Sequence, residues 1–145
     1  IGSTSGDIII LNNKYYENKQ IIKISINSKT FLLKIPLIGY FQIKNLLMAI
    51  LAAHSCGISL NKMLSQIHKI KPVPGRLELV ANLKNNSKII VDFAHTPDAL
   101  EQSLIALKKQ FKKEIILVLV VEEIEIKKRD MTWAELLKNT VKKFL

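Results

Sequence analysis

The residues with the clearest capacity for chemistry stand together in the stretch Asp92-Phe93-Ala94-His95-Thr96-Pro97-Asp98-Ala99-Leu100. It ends an apolar run, Ile89 to Phe93, of the near-continuous kind that forms a buried strand. It then opens a helix, with Thr96 as N-cap and Pro97 at the first helical position, where a missing N–H costs nothing. In open α/β sheets ligands gather where a strand's carboxyl end turns into a helix, because free N–H groups there favour anions. At such a turn Asp92 can accept from ribose hydroxyls or hold a metal-bound water, and His95 can donate to a phosphate. The same residues have a plainer use, with Asp98 complementing the helix dipole and His95 closing the turn. The lone Cys56, in the apolar setting AAHSCGI, reads as a small core residue with no paired base nearby, and one cysteine excludes an intrachain disulfide framework.

The elements that must position this stretch follow from periodicity. Residues Asp7 to Leu11, Ile21 to Ile26 and Thr30 to Ile35 are short β-branched runs separated by Asn, Lys and Ser, a meander of strands. From Phe41 the period changes: Leu46, Leu47, Ile50, Leu51 and His54 recur at helical spacing until Gly57. A second helix runs from Asn61 to about Ile70, with Leu64, Ile67 and His68 on one side. Lys71 to Gly75, KPVPG, breaks any regular element and marks a domain boundary. Beyond it Leu77 to Leu83 alternates as a strand, Lys84-Asn85-Asn86-Ser87 suits a hairpin turn, and Leu100, Leu104 and Leu107 give the helix after Pro97 its apolar face. Ile115 to Val121 is another buried strand. Strand, helix, strand after Lys88 is a βαβ unit, so the expected class is α/β with a parallel sheet.

Composition bounds the partners. With 48% hydrophobic residues in 145, the chain can bury a core, and no apolar run approaches the roughly 20 residues needed to span a bilayer. The start, IGSTSGDIII, lacks the order of a signal peptide, which makes a cytoplasmic location the default. A net charge of +10 invites a nucleic-acid reading. Against it, only Arg76 and Arg129 are arginines and the lysines are scattered among Ile and Asn, a solvated surface and not a phosphate-binding patch.

Three motifs, in order, resemble one family. DFAHTPDAL is similar to the D-Y-A-H-T-P-D-A-L signature that opens the C-terminal domain of Mur ligases of the UDP-N-acetylmuramoyl-tripeptide synthetase branch. Val73-Pro74-Gly75-Arg76-Leu77-Glu78 resembles the family's V-x-G-R-x-E interdomain segment, and Ile38-Gly39-Tyr40-Phe41-Gln42-Ile43-Lys44-Asn45-Leu46-Leu47 its G-x-F-N-x-x-N-x-L-A stretch. The resemblance implies that residues 1–72 are the C-terminal part of a central ATP-binding domain and that 73–118 begin a Rossmann-like C-terminal domain. It also assigns a nucleotide site. Asn45 matches an Asn at the adenine side, Arg76 an arginine that approaches the ATP phosphates, and Asp92 a carboxylate near the ribose, with His95 in the same interdomain loop. Gln42 departs from the pattern, standing one methylene longer where the family carries its first Asn. The implied reaction uses ATP and Mg²⁺ to turn the D-glutamate carboxylate of a UDP-N-acetylmuramoyl dipeptide into an acyl phosphate, which the amine of diaminopimelate or lysine attacks. No G-x-x-x-x-G-K-[ST] loop is present, and IGSTSG is no substitute. The expectation is therefore an internal piece, inactive alone, whose partners include other fragments of a split protein.

After Ile115-Ile116-Leu117-Val118 the resemblance stops. The family continues F-G-C-G-G-(D/N)-R-D, whereas this chain reads Leu119-Val120-Val121-Glu122-Glu123-Ile124-Glu125. Restoring one base near Leu119 lets a shifted frame read FGCGGNRDKKKRYDLGRIAKKYCKKVF, which marks 119–145 as an out-of-frame tail of a decayed gene. As written, Trp133, Leu136, Leu137, Val141 and Phe144 form the apolar stripe of a basic helix capped by Asp130. That pattern supports a rival reading, a small non-enzymatic module binding a nucleotide or a membrane surface.

Overall fold

The computed structural model describes Gly2, residues 7–119 and the backbone of residues 143–144. The first part is a three-stranded antiparallel meander, β1 (Ile8–Tyr16), β2 (Lys19–Ile26) and β3 (Lys29–Ile35), in the order β1-β2-β3. Alternation writes its inner face directly. Gln20, Ile22, Ile24 and Ile26 of β2 are buried, as are Ile8 and Ile10 of β1 and Leu33 and Ile35 of β3. Asn27 and Ser28 both take positive φ, 47° and 62°, as the tight turn between β2 and β3 requires. β1 runs five residues beyond the expected Leu11, through a bulge between Ile10 and Asn12.

Two helices cover the inner face. α1 (Tyr40–Ser55) contributes Ile43, Leu47 and Ile50 to the core, and α2 (Leu60–Gln66), continued by a 3₁₀ turn over Ile67–Lys69, contributes Leu64 and Ile67. These positions follow the expected helical spacing, but the two histidines placed on the same stripes do not face the core. His54 and His68 are exposed, and His54 Nδ1 instead lies 3.0 Å from the Ile58 carbonyl just past the helix end. Cys56, expected in the core, is exposed at the α1 C-cap.

The second part carries a hairpin of β4 (Glu78–Asn82) and β5 (Lys88–Val91), the helix α3 (Pro97–Phe111), and β6 (Ile116–Leu117), which pairs in parallel with β7 (Lys143–Phe144). Thr96 caps α3 as its sequence implies, its Oγ1 accepting from the Ala99 N–H at 3.3 Å. Leu100 and Leu104 are buried and Leu107 partly so.

Three expectations need correction. β5 was expected to be buried, yet Ile89 and Val91 are 45% exposed and Phe93 67%, because β5 pairs only with β4 among the described residues. Of the buried strand expected over Ile115 to Val121, β6 covers Ile116–Leu117; Ile116 is 65% exposed and Val118, just past it, 64%, while Val120 and Val121 lie outside the described residues. The expected parallel pairing of β5 with β6 is not formed; the parallel ladder joins β6 to β7 instead. An apolar run reports that a strand can be buried, and only its neighbours decide whether it is.

The two parts meet at a compact seam. Ile38, Leu77 and Ala106 are buried together, flanked by Phe41, Leu79, Ile90, Leu107 and Phe111. Gly39 sits at its centre with φ 88°, and a Cβ there would lie 2.9 Å from Leu77 Cδ1 and 3.3 Å from Ala106 Cβ, which only glycine avoids. Its carbonyl and that of Leu37 accept from Gln20 Nε2 at 3.0 and 2.9 Å, so the fully buried Gln20 holds the β3-to-α1 connection in place. At the far end of α3, Gln110 Nε2 donates to the carbonyls of Tyr16 and Lys19, tying this helix to the β1–β2 turn.

Candidate functional site

Local sequence builds the turn after β5 in three steps. The strand ends at Val91, Asp92 and Phe93 follow in extended continuation, and Thr96-Pro97 starts α3. Opposite lies the segment Val73 to Glu78, whose turn is closed by two bonds. The Arg76 N–H donates to the Val73 carbonyl at 3.1 Å, and the Gly75 N–H donates to Glu78 Oε2 at 2.8 Å. A third bond, from the Phe93 N–H to the Gly75 carbonyl at 2.8 Å, lays this segment against the strand end.

This arrangement brings two of the sequence candidates, Arg76 and His95, onto the ring of Phe93. The Arg76 guanidinium carbon lies 5.9 Å from the centre of the Phe93 ring, and the His95 ring meets Phe93 edge-on at 5.6 Å between centres. All three side chains are exposed, which leaves a cation, a flat apolar face and an imidazole open on one surface. His95 Nδ1 lies 3.1 Å from the Phe93 carbonyl, which orients the ring and leaves Nε2 as the outward nitrogen. Phe93 is not among the sequence candidates, although an aromatic residue between Asp92 and His95 at the strand end was a usable signal.

Asp92 is half-buried and engaged by protein. Its Oδ2 accepts from the Leu77 N–H at 2.8 Å, and its Oδ1 accepts from the Ala94 N–H at 2.9 Å and the Ser103 hydroxyl at 3.1 Å. Asn45 lies exposed on α1, one turn beyond Gln42 and so on the same side of the helix. Gln42 itself is buried, its Nε2 donating to the Ile38 carbonyl at 2.8 Å and to the Arg76 carbonyl at 3.0 Å. The extra methylene thus serves a protein contact. Among the described residues no hydrogen bond or ion pair joins Asn45 to Arg76, Asp92 or His95.

Two clefts among the described residues share no lining residue with this surface. An open cleft of about 300 Å³ is lined by Asn27, Lys29, Phe31, His54, Ser59 and Asn61 among others, at the start of α2. A second, apolar cleft lies between α1 and α2. Among the described residues no group of three or more His, Cys, Asp or Glu could hold a metal ion, and no helix is long and apolar enough to cross a membrane. The expected basic helix from Thr132 lies outside the described residues except at its end, where Lys143–Phe144 is strand β7 and not helix.

With this geometry in place, comparison with known proteins is informative. The family described as Mur ligase, glutamate ligase domain, matches residues 75–142, from the Gly75 turn to a point past Val118. The UDP-N-acetylmuramoyl-L-alanyl-D-glutamate–2,6-diaminopimelate ligase of Rickettsia rickettsii is 37% identical over 105 residues, 72% of this chain and 21% of its own length. The chain therefore spans about a fifth of the curated relatives it matches. Among solved structures, the UDP-N-acetylmuramate-alanine ligase MurC of Thermotoga maritima superposes with a TM-score of 0.76 at 22% identity, over 97% of this chain and 31% of that one. A folylpolyglutamate synthetase complex with AMPPCP and folate gives 0.72 at 20% identity, over 94% and 33%. The α/β arrangement of meander, covering helices, seam and strand-to-helix turn is that of these ligases, and the chain belongs to the Mur ligase family.

Proposed function

We propose that the chain is the interdomain portion of a UDP-N-acetylmuramoyl-tripeptide synthetase, with a domain boundary near residue 72, and that Arg76, Phe93 and His95 form one wall of its ATP site. The carrying observation is the convergence of a guanidinium, an aromatic face and an imidazole at the β5-to-α3 turn. A forked permanent cation suits a polyphosphate, and the ring suits a nucleobase or shields the guanidinium from water. Support comes from the relatives, named as diaminopimelate ligases, and from the structural neighbour whose complex holds AMPPCP.

In the whole enzyme ATP would supply the phosphoryl group that activates the D-glutamate carboxylate of a UDP-N-acetylmuramoyl dipeptide, and diaminopimelate, favoured over lysine by the relatives' names, would supply the amine. Within this chain Arg76 would neutralise phosphate charge, His95 Nε2 would meet a phosphate or ribose oxygen, and Asn45 would face the base from α1. Mg²⁺ does not fit the described residues, because no carboxylate cluster is present and both oxygens of Asp92 are engaged. No step is assigned to it here, and the chain alone is expected to bind nucleotide without forming an amide bond.

Equilibrium dialysis of ATP against the chain tests this reading. Arg76→Ala should weaken binding about tenfold or more, the loss of one charge-assisted contact. Equal binding by both chains would reject the site. The out-of-frame reading of residues after about Val118 is kept as a proposal resting on the missing glycine turn, although the family match runs on to residue 142. Genomic DNA in which no one-base correction restores the FGCGG reading would end it.

A further inference from the structure

The peptide group between Arg76 and Leu77 is gripped from both sides. Its carbonyl accepts from Gln42 Nε2 at 3.0 Å, and its N–H donates to Asp92 Oδ2 at 2.8 Å. One grip comes from the first turn of α1, the other from the end of β5, so the two parts of the chain hold the same planar unit. Each grip is braced. Gln42 Nε2 also donates to the Ile38 carbonyl at 2.8 Å, and Asp92 Oδ1 accepts from the Ala94 N–H and the Ser103 hydroxyl.

We infer that Gln42 and Asp92 are positioning residues, a clamp on the 76–77 peptide plane that sets where the Arg76 guanidinium stands over Phe93. The peptide is planar, so holding its C=O and N–H fixes the plane and the two Cα atoms flanking it, and the Arg76 N–H, itself bonded to the Val73 carbonyl at 3.1 Å, then limits ψ of Arg76. Leu77 is held at φ 46°, a conformation uncommon for a residue with a branched side chain, and it is 1% exposed in the seam. That unfavourable backbone persists because its surroundings over-determine it. With the backbone pinned, the direction of the Arg76 Cα–Cβ bond is set, and only side-chain torsions separate it from the Phe93 ring. Gln42 is long enough to span from the Ile38 carbonyl to the Arg76 carbonyl, and an Asn there is one methylene short. Asp92 supplies the stronger grip, since a carboxylate accepting from N–H groups is charge-assisted. Its part in the clamp is to hold the Leu77 N–H. The consequence for nucleotide binding rests on the function proposed above; the clamp itself does not.

Nuclear magnetic resonance of the unliganded chain tests it. The Phe93 ring current should move the Arg76 side-chain protons upfield, and Phe93→Leu, as a control, should abolish that shift. Gln42→Asn and Asp92→Ala should each return the Arg76 protons toward their random-coil positions while β1–β3 amide resonances stay in place. Asp92→Asn, which keeps one oxygen to accept from Leu77, should retain part of the shift. ATP affinity should fall several-fold in Gln42→Asn, and the Gln42→Asn/Arg76→Ala double variant should bind no more weakly than Arg76→Ala alone. Folded Gln42→Asn and Asp92→Ala chains with unchanged Arg76 resonances would overturn the clamp. If Asp92→Ala does not fold, Gln42→Asn decides by the same criterion. A chain that binds no ATP yet shows the resonance changes would retain the clamp and lose the nucleotide reading.

Discussion

Gly39 shows how much a single residue can decide. It connects β3 to α1, takes φ 88°, and has Leu77 and Ala106, both from beyond the boundary near residue 72, within 3.3 Å of any added Cβ. Gly39→Ala would strain the backbone and push the seam apart, costing at least about 1–3 kcal/mol. Urea unfolding should show that loss as a lower midpoint at unchanged slope. A neutral substitution would mean that the seam is looser than the packing of Ile38, Leu77 and Ala106 implies. Other single residues were readable in advance to different degrees. Gln20 continues the alternation of Ile22, Ile24 and Ile26, so its burial was implied, but its acceptors at Leu37 and Gly39 were not. Gln42 and Asp92 make bonds to residues 34 and 15 positions away, set by tertiary placement that spacing does not encode.

The elements with strong local rules were the most legible. α3 begins where Thr96 and Pro97 say it must and buries Leu100 and Leu104 at helical spacing. The meander and α1 likewise follow period 2 and period 3.6. What failed was burial of β5 and β6, and the histidines on the helical stripes, because both depend on which neighbour covers a face and not on the face itself. α3 can be tested as an element. Leu104 is 1% exposed, in a small cluster with Leu100 and partly buried Ala94, Ile115, Leu117 and Leu119. Leu104→Ala should cost about 2–3 kcal/mol, the lower part of the range for buried leucine, since a small cluster relaxes around the cavity. Thermal unfolding followed by circular dichroism measures it, and a change below about 0.5 kcal/mol, the size of a surface substitution, would show α3 to be loosely docked.

On the scale of the whole molecule, the seam makes the proposed site possible. The meander and its helices supply Gln42 and Asn45, the hairpin and α3 supply Asp92, Phe93 and His95, and the 73–78 segment between them carries Arg76. Among the described residues, the contacts that join these parts include the Ile38–Leu77–Ala106 cluster, the grip on the 76–77 peptide, the Gln110 bonds to the β1–β2 turn and the Lys88–Glu17 ion pair. The sequence motifs pointed to the surface, but the engagement of Asp92 by the Leu77 and Ala94 N–H groups and the Ser103 hydroxyl became visible only in three dimensions. The central claim is that nucleotide binds on the Arg76–Phe93–His95 surface, and amide chemical-shift mapping of the chain during titration with ATP tests it most directly. The largest changes should fall on residues 75–77 and 93–98, with a smaller response at Asn45. Changes confined to the cleft formed by Lys29, Phe31, His54 and Ser59, or no saturable change at all, would contradict it.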